Sequence, residues 1–134
     1  YSLCNRAPES DIFPYCQEHG IAVLIRGPLY KGLLSGKYDI NTVFTDSVRT
    51  RWNVGGNARQ DFEKGIPIVE KLKQQIAPGI EMVTTALRFV ISHPVAPVAI
   101  PGAKSPQQAA ANAEAGAQTL SADEIKALTA LIEE

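Results

Sequence analysis

The sequence is poor in cysteine, histidine and clustered positive charge, and it has no long apolar run. Its 134 residues carry a net charge of −1, with no run of basic residues longer than two. The chain therefore lacks the positive field that nucleic-acid and anionic-membrane binding use. Its apolar segments are too short to span a bilayer, and the N-terminus lacks a signal-peptide pattern. We expect a cytoplasmic protein with no nucleic-acid or membrane partner.

The few cysteines and histidines also argue against a metal centre. Cys4 and Cys16 are too few and too far apart for a cysteine-rich site, and His19 and His93 show no metal-ligand spacing. We predict no metal and reduced thiols. The hydrophobic fraction of 45% and the charged fraction of 20% are typical of soluble domains. We therefore expect residues 1–134 to form a single domain.

The most informative segment runs over residues 95–112. It opens with the apolar run VAPVAI, which predicts a strand buried on both faces in a parallel sheet. Ser105 followed by Pro106 predicts a helix N-terminus directly after this strand. Such an end attracts anions, and Lys104 adds a positive charge beside it. The segment is therefore suited to bind a phosphate.

Three further residues of this segment favour a nucleotide as the anion. Gly102 allows the backbone to approach a ligand closely. Gln108 and Asn112 are four residues apart, so their amides lie on one face of the predicted helix. Paired amides can donate to and accept from a nucleobase edge. As isolated features, these residues are also compatible with an ordinary turn and a solvated helix.

In the rest of the chain, Gly, Pro and helix-capping residues mark the ends of the predicted helices and strands. A second buried strand is predicted over 21–25, and a long loop over 39–57. Within that loop Arg49 and Arg51 are candidates for a phosphate contact, but we expect them to be solvated. Further helices are predicted over 10–19, 58–76 and 82–93, and a final helix from the capping box of Ser121 and Glu124.

Two common nucleotide motifs are absent. The run GLLSGK has three residues between its glycines where a P-loop has four, and Tyr38 follows in place of Ser or Thr. No G-x-G-x-x-G follows a strand, so a Rossmann domain lacks its signature. These spacings argue against a Walker-type nucleotidase and a Rossmann dehydrogenase.

Four segments, in order, instead resemble the NADPH-dependent aldo-keto reductases. The run IPGAK-x-x-x-Q-x-x-x-N is similar to their cofactor-binding segment near the C-terminus. The others are YSLCNR at residues 1–6, GPLYKGLLSGKY at residues 27–38 and ALRFVISHP at residues 86–94. The resemblance covers nearly the whole chain. It implies the C-terminal half of an α/β (β/α)8 TIM barrel: the end of strand six, strands seven and eight, the surrounding helices and a closing C-terminal helix.

The resemblance also implies roles for individual residues. Lys104 and the region of Ser105 would bind the adenosine 2′-phosphate, with Gln108 and Asn112 near the adenine. Tyr1 would stack on the nicotinamide ring, and the loop after strand seven would lie along the pyrophosphate. The candidate NADP(H)-binding residues are Tyr1, Pro28, Leu29, Gly32, Leu34, Gly36, Lys37, Ile100, Gly102, Lys104, Gln108 and Asn112.

A complete barrel of this type needs about 250 residues, and this chain opens on Tyr1 rather than Met. We therefore expect it to begin inside a domain. In the family the Asp, Tyr, Lys and His that protonate the carbonyl come from the other half, so we predict no catalytic residue here. His19 and His93 are expected to be structural.

Three functions remain open from the sequence. The first is the NADP(H)-binding portion of an oxidoreductase that reduces small aldehydes or ketones in the complete barrel. The second is an inactive half-barrel whose unpaired strand edges pair with a second copy or with a complementing N-terminal half. The third is an NADPH-binding regulatory module. The carbonyl substrate, the preference for NADPH over NADH and the oligomeric state stay open.

Overall fold

Two short parallel strands organise the chain. The computed structural model describes residues 1–133. Strand β1 (Leu24–Arg26) pairs with β2 (Val98–Ile100) in a register that sets Leu24 opposite Val98 and Arg26 opposite Ile100. The helices are α1 (Ile12–Glu18), α2 (Arg59–Lys73), α3 (Ile80–Ile91), α4 (Pro106–Ala115) and α5 (Ala122–Glu133), with 3-10 turns at Ala7–Glu9, Tyr30–Ser35 and Thr50–Trp52.

The predicted helices are confirmed, and their ends follow the capping residues. The Asp11 side chain accepts the Ile12 N–H at the start of α1, and Gly20, just past its end, adopts a left-handed φ of 64°. The Ser105 hydroxyl accepts the Gln108 N–H at the start of α4. At the start of α5, the Ser121 backbone N–H donates to the Glu124 carboxylate at 2.7 Å, which completes the capping box.

Helix α2 continues through Gly65 and Pro67 without a break. Gly65 is buried, and a Cβ atom built on it would lie 2.5 Å from Cδ2 of Leu33. A side chain there would collide with the loop that follows β1. The glycine therefore allows α2 to pack closely against that loop, although glycine is unfavourable inside a helix.

The prediction that both strands are buried on two faces is wrong. Leu24, Val98 and Ile100 expose 65%, 58% and 54% of their surface, whereas Ile25 is buried against Phe13. Successive strand residues point to opposite faces. One face of the pair packs on α1 and α3, and no element of residues 1–133 covers the other. Both strands are also shorter than the predicted runs, with three residues each.

The N-terminal segment also differs from the expectation. Instead of a strand end, residues 1–6 contain a tight turn in which Ser2 and Asn5 exchange two backbone hydrogen bonds of 3.0 and 2.9 Å. A strand needs a neighbouring strand to satisfy its backbone groups. Within residues 1–133 none lies beside this segment, and the turn satisfies these groups locally.

The larger core lies under the loop of residues 39–57. Trp52 and Phe62 are fully buried and stack at 5.2 Å, and Phe44 meets Phe62 edge to face at 5.4 Å. The loop is irregular as predicted, apart from one 3-10 turn. The Asn53 side chain holds it together by accepting the Phe44 N–H and donating to the Phe44 carbonyl, both at 2.8 Å. No helix within residues 1–133 is both long enough and apolar enough to cross a membrane.

Candidate nucleotide-binding edge

The parallel strand pair brings the two predicted phosphate-binding loops to one edge. Arg26 and Ile100 are register partners, and both are the last residues of their strands. The loop of residues 27–38 and the loop of residues 101–105 therefore leave the sheet side by side. The carboxyl edge of parallel strands is the usual place for ligands in α/β folds. We call these two loops, with the first turns of α4, the nucleotide edge.

The loop before α4 presents the features predicted for anion binding. Ser105 is the N-cap in extended conformation, and Pro106 occupies the first helical position. The side chain of Lys104 is exposed beside this helix start, and Gly102 is exposed with no atom within 4 Å of a Cβ built on it. The space over this loop is therefore open to a ligand.

The amides of Gln108 and Asn112 bind back to the loop. Oε1 of Gln108 accepts the backbone N–H of Lys104 at 2.8 Å, and Nδ2 of Asn112 donates to the Gly102 carbonyl at 3.3 Å. One amide atom of each side chain is thus used to hold the loop against α4. The other, Nε2 of Gln108 or Oδ1 of Asn112, is left for a further partner.

The loop after β1 is tightly wound. Tyr30, Lys31 and Gly32 have consecutive left-handed φ angles of 47°, 56° and 89°. The N–H groups of Gly32 and Leu34 both donate to the Leu29 carbonyl, at 2.9 and 3.2 Å. A left-handed conformation costs a non-glycine residue about 1 kcal/mol or more, and such strain concentrates at functional sites.

Several candidate residues in this loop hold its shape. Pro28 and Leu34 are fully buried, and Leu29 packs against the core. Gly36 is a left-handed cap, and a Cβ atom on it would lie 2.8 Å from Sδ of Met82. The side chains of Pro28 and Leu34 are therefore turned away from any ligand, which leaves their backbone atoms as contacts. Lys37 is exposed, and Ile100 lies at the exposed end of β2.

The prediction that Arg49, in the loop of residues 39–57, is solvated is wrong. Its side chain is only 15% exposed, with Nε donating to Asp46 at 2.8 Å and Nη1 donating to the Tyr38 hydroxyl. Nη1 also lies 3.7 Å from the Cβ position of Gly32. The i,i+3 spacing of Asp46 and Arg49 is the signal for this ion pair. Arg51 is exposed as predicted, with Nε donating to Asn57.

Tyr1 lies beside the C-terminal end of α3. Its hydroxyl donates to Oε1 of Glu9 at 2.5 Å, and its ring stacks on Phe89 at 5.6 Å. Phe13 and His93 meet the ring at 4.9 and 5.7 Å. Burial, followed by the hydrogen bond to Glu9, raises the pKa of the Tyr1 phenol far above its usual value. The hydroxyl is therefore protonated at neutral pH.

Two cavities lie around Arg6 and Glu9, close to Tyr1. One of about 540 Å³ contains Cys4, Arg6 and Glu9 in its wall, and one of about 170 Å³ contains Tyr1, Arg6 and Glu9. Burial raises the pKa of the Cys4 thiol to about 12, so the thiol is a poor nucleophile. Burial also lowers the pKa of His93. No group of three metal-ligating side chains occurs within residues 1–133.

The fold is that of an α/β domain with two loops that leave the carboxyl ends of parallel strands side by side. The model of the aldo/keto reductase family matches residues 1–133, and the chain belongs to this family. An uncharacterized oxidoreductase, YqkF of Bacillus subtilis, is 32% identical over 129 residues, which cover 96% of this chain and 40% of the relative. The NADH-specific methylglyoxal reductase of Escherichia coli is 30% identical over 118 residues, covering 86% of this chain and 35% of that protein.

A solved structure supports the same fold. The glycerol dehydrogenase of Gluconobacter oxydans matches 98% of this chain and 40% of its own chain, with a TM-score of 0.72 and 27% identity. The chain therefore has the fold of part of an aldo/keto reductase TIM barrel. The chain spans about 40% of the length of YqkF and about 40% of that of the glycerol dehydrogenase.

Proposed function

We propose that the chain is the C-terminal, NADP(H)-binding half of an aldo/keto reductase barrel. The observation that carries the proposal is the register of Arg26 with Ile100, since it sets the two loops of the nucleotide edge side by side. These loops hold most of the residues that the family resemblance assigns to the cofactor. Outside these loops, we assign Tyr1 to the cofactor as the residue that would stack on the nicotinamide ring.

The residues present fit such a cofactor. The first turn of α4 offers the Gln107 N–H and the positive end of the helix dipole, beside the exposed ammonium of Lys104. Pro106 has no N–H, and the Gln108 N–H is already accepted by the Ser105 hydroxyl. Lys104 would bind the 2′-phosphate, and the free amide atoms of Gln108 and Asn112 would contact the adenine. The backbone of residues 28–37 would lie along the pyrophosphate, with the exposed Lys37 at the end of this segment.

When bound, the cofactor supplies the hydride that reduces a carbonyl carbon. This chain would contribute binding and orientation, and the remaining part of the barrel would contribute the proton donor and the pocket for a small aldehyde or ketone. Acid–base catalysis requires a titratable group within hydrogen-bond reach of the carbonyl oxygen. The resemblance places that group outside this chain, so we infer that the chain alone binds cofactor and reduces no carbonyl.

Calorimetry of the 134-residue protein with NADP⁺ tests the binding. Gly102→Val is the most informative variant. The space over Gly102 is open, so the added side chain should fit the free protein without a collision. It would, however, occupy the space that the proposed ligand needs. We expect unchanged thermal stability and strongly weakened NADP⁺ binding. Wild-type affinity in Gly102→Val would contradict a ligand over this loop. NADPH-dependent reduction of an aldehyde by the purified chain would contradict the division of labour between the two halves.

The exposed sheet face supports a second function, assembly with another polypeptide. Leu24, Val98 and Ile100 form an apolar surface on the uncovered side of β1 and β2, and apolar surfaces of this kind favour association. The partner would be a complementing N-terminal half or a second copy. Mass measurement in solution tests this: a strictly monomeric wild-type chain with unchanged mass after an N-terminal half is added would contradict it.

NADPH binding without reduction would also suit a regulatory module, the third function considered. A change in assembly on adding NADPH distinguishes this function from a simple half-barrel.

We further propose that the protein acts in the cytoplasm. Cys4 and Cys16 are free thiols, as is usual in a reducing compartment.

A further inference from the structure

The Tyr1 side chain is held by a network of charged groups. Its hydroxyl donates to Oε1 of Glu9 at 2.5 Å. The Arg6 guanidinium donates to both oxygens of the same carboxylate, from Nε to Oε1 at 3.1 Å and from Nη2 to Oε2 at 2.7 Å. Glu9 is therefore fixed from two sides, and charge-assisted hydrogen bonds of this bidentate kind are strong and directional.

Arg6 extends the network to the last helix. Its Nη1 donates to Oε1 of Glu133 in α5 at 2.5 Å. The side chains of Arg6 and Glu9 are partly buried, with exposures of 27% and 25%, whereas that of Glu133 is 63% exposed. The network thus ties the first residues of the chain to its C-terminal helix and leaves the Glu9 carboxylate little freedom to turn.

The ring of Tyr1 is held by three aromatic neighbours. Phe89 stacks on it with an angle of 25° between the rings, whereas Phe13 and His93 approach at 72° and 75°. Stacking alone allows the ring to slide, since aromatic contacts have broad geometry. The hydrogen bond from its hydroxyl to Glu9 adds the directional restraint.

We propose that Glu9 is a positioning residue that fixes the Tyr1 ring for stacking on the nicotinamide, with Arg6 holding the Glu9 carboxylate in place. The inference rests on the proposed function, in which Tyr1 is the residue that meets that ring. A pre-positioned aromatic side chain loses less conformational entropy on binding. Glu9 therefore acts on cofactor affinity through Tyr1 and without touching the cofactor.

The experiment compares two ligands on the 134-residue protein by calorimetry. NADP⁺ carries the nicotinamide, whereas adenosine 2′,5′-bisphosphate shares only the adenosine and phosphate part. Glu9→Ala should weaken NADP⁺ binding about three- to tenfold and leave the bisphosphate unchanged. Glu9→Gln should rescue part of the loss, because its amide oxygen can still accept from the Tyr1 hydroxyl. The matched control is Glu63→Gln, which removes the partner of Arg59 on α2.

Tyr1→Phe supplies a variant that keeps the ring and removes only the hydroxyl. It should lose as much NADP⁺ affinity as Glu9→Ala, and the double variant should lose no more than either one, because both remove the same hydrogen bond. If Glu9→Ala is unfolded by circular dichroism, Glu9→Gln and Tyr1→Phe carry the comparison.

The outcomes separate this inference from the proposed function. Equal losses for both ligands in Glu9→Ala would indicate a general structural role and overturn the inference. Additive losses in the double variant would do the same. A wild-type chain that binds the bisphosphate and gains nothing from the nicotinamide would also overturn it while the phosphate site stands. A wild-type chain that binds neither ligand would overturn the proposed function itself and the inference with it.

Discussion

The backbone N–H of Lys104 donates a 2.8 Å hydrogen bond to Oε1 of Gln108, four residues further along the chain. The Ser105 hydroxyl accepts the Gln108 N–H in return. This pair of bonds resembles a capping box in which the glutamine reaches one residue further back than usual. The loop that carries Lys104 is therefore ordered before any ligand arrives.

Replacing Gln108 with Ala should release this loop without unfolding α4. The bond is exposed to solvent, so we expect its loss to speed amide hydrogen exchange at Lys104 about three- to tenfold. Gln107→Ala is the matched control, since its side chain is exposed on the same turn. Unchanged hydrogen exchange at Lys104 in Gln108→Ala would show that the Gln108 side chain does not order this loop.

Lys104→Ala tests which nicotinamide cofactor the edge prefers. NADPH carries a 2′-phosphate that NADH lacks, so loss of the ammonium should weaken NADPH binding about tenfold and NADH binding by much less. Lys126→Ala removes an equal charge from an exposed position on α5 and serves as the control. Equal losses for the two cofactors, measured by calorimetry, would remove the basis for an NADPH preference.

Gly36→Ala should destabilise the fold by about 1–3 kcal/mol. The residue has a left-handed φ of 71°, and the added methyl would lie 2.8 Å from Sδ of Met82 and 3.3 Å from Pro78. Gly27→Ala separates the two effects, since its φ is 81° and its Cβ position is open. We expect it to cost about 1 kcal/mol from the backbone alone. Urea denaturation measures the unfolding free energy of both variants. Equal losses would show that the contact of the added methyl with Met82 costs nothing.

The Glu9 network should make stability depend on acid. Burial alone would raise the pKa of Glu9, but the hydrogen bonds from Arg6 and Tyr1 outweigh it and hold that pKa below its usual value. The ionised form is therefore favoured in the folded state. Its contribution is complete above the unfolded pKa and is lost as the pH falls through the folded one.

We expect the unfolding free energy of the wild type to fall from about pH 5 downward, and to fall less steeply in Glu9→Gln. Some acid dependence should remain in that variant, because hydrogen bonds from Ser121 also hold the pKa of Glu124 low. Denaturation curves at a series of pH values give the two slopes. Identical slopes would show that Glu9 contributes no acid sensitivity.

The parts of the fold that could be predicted from sequence are those with local causes. Asp11, Ser105 and Ser121 mark helix starts because a cap bonds to N–H groups within three residues of itself. The two strands are also predicted from local signals, since Pro and Gly lie directly beside each apolar run. The family resemblance then supplied the barrel that two short strands do not define.

The missed features depend on distant residues. Leu24 and Val98 are predicted to be buried because they are apolar, but their exposure depends on which elements cover the sheet. The Arg6 network needs Glu133, which lies 127 positions away. For Gln108 and Asn112 the shared helix face followed from spacing. Their actual partners, the Lys104 N–H and the Gly102 carbonyl, follow only from the path of the loop.

The register of the two strands also has a consequence for folding. Paired residues such as Leu24 and Val98 lie 74 positions apart, and closing so long a loop costs entropy that three-residue strands recover poorly. Helices α2 and α3 lie between the strands and consist of local contacts, so they should form before the strands pair. The edge that carries the two candidate ligand loops would then be among the last parts of the chain to acquire its structure.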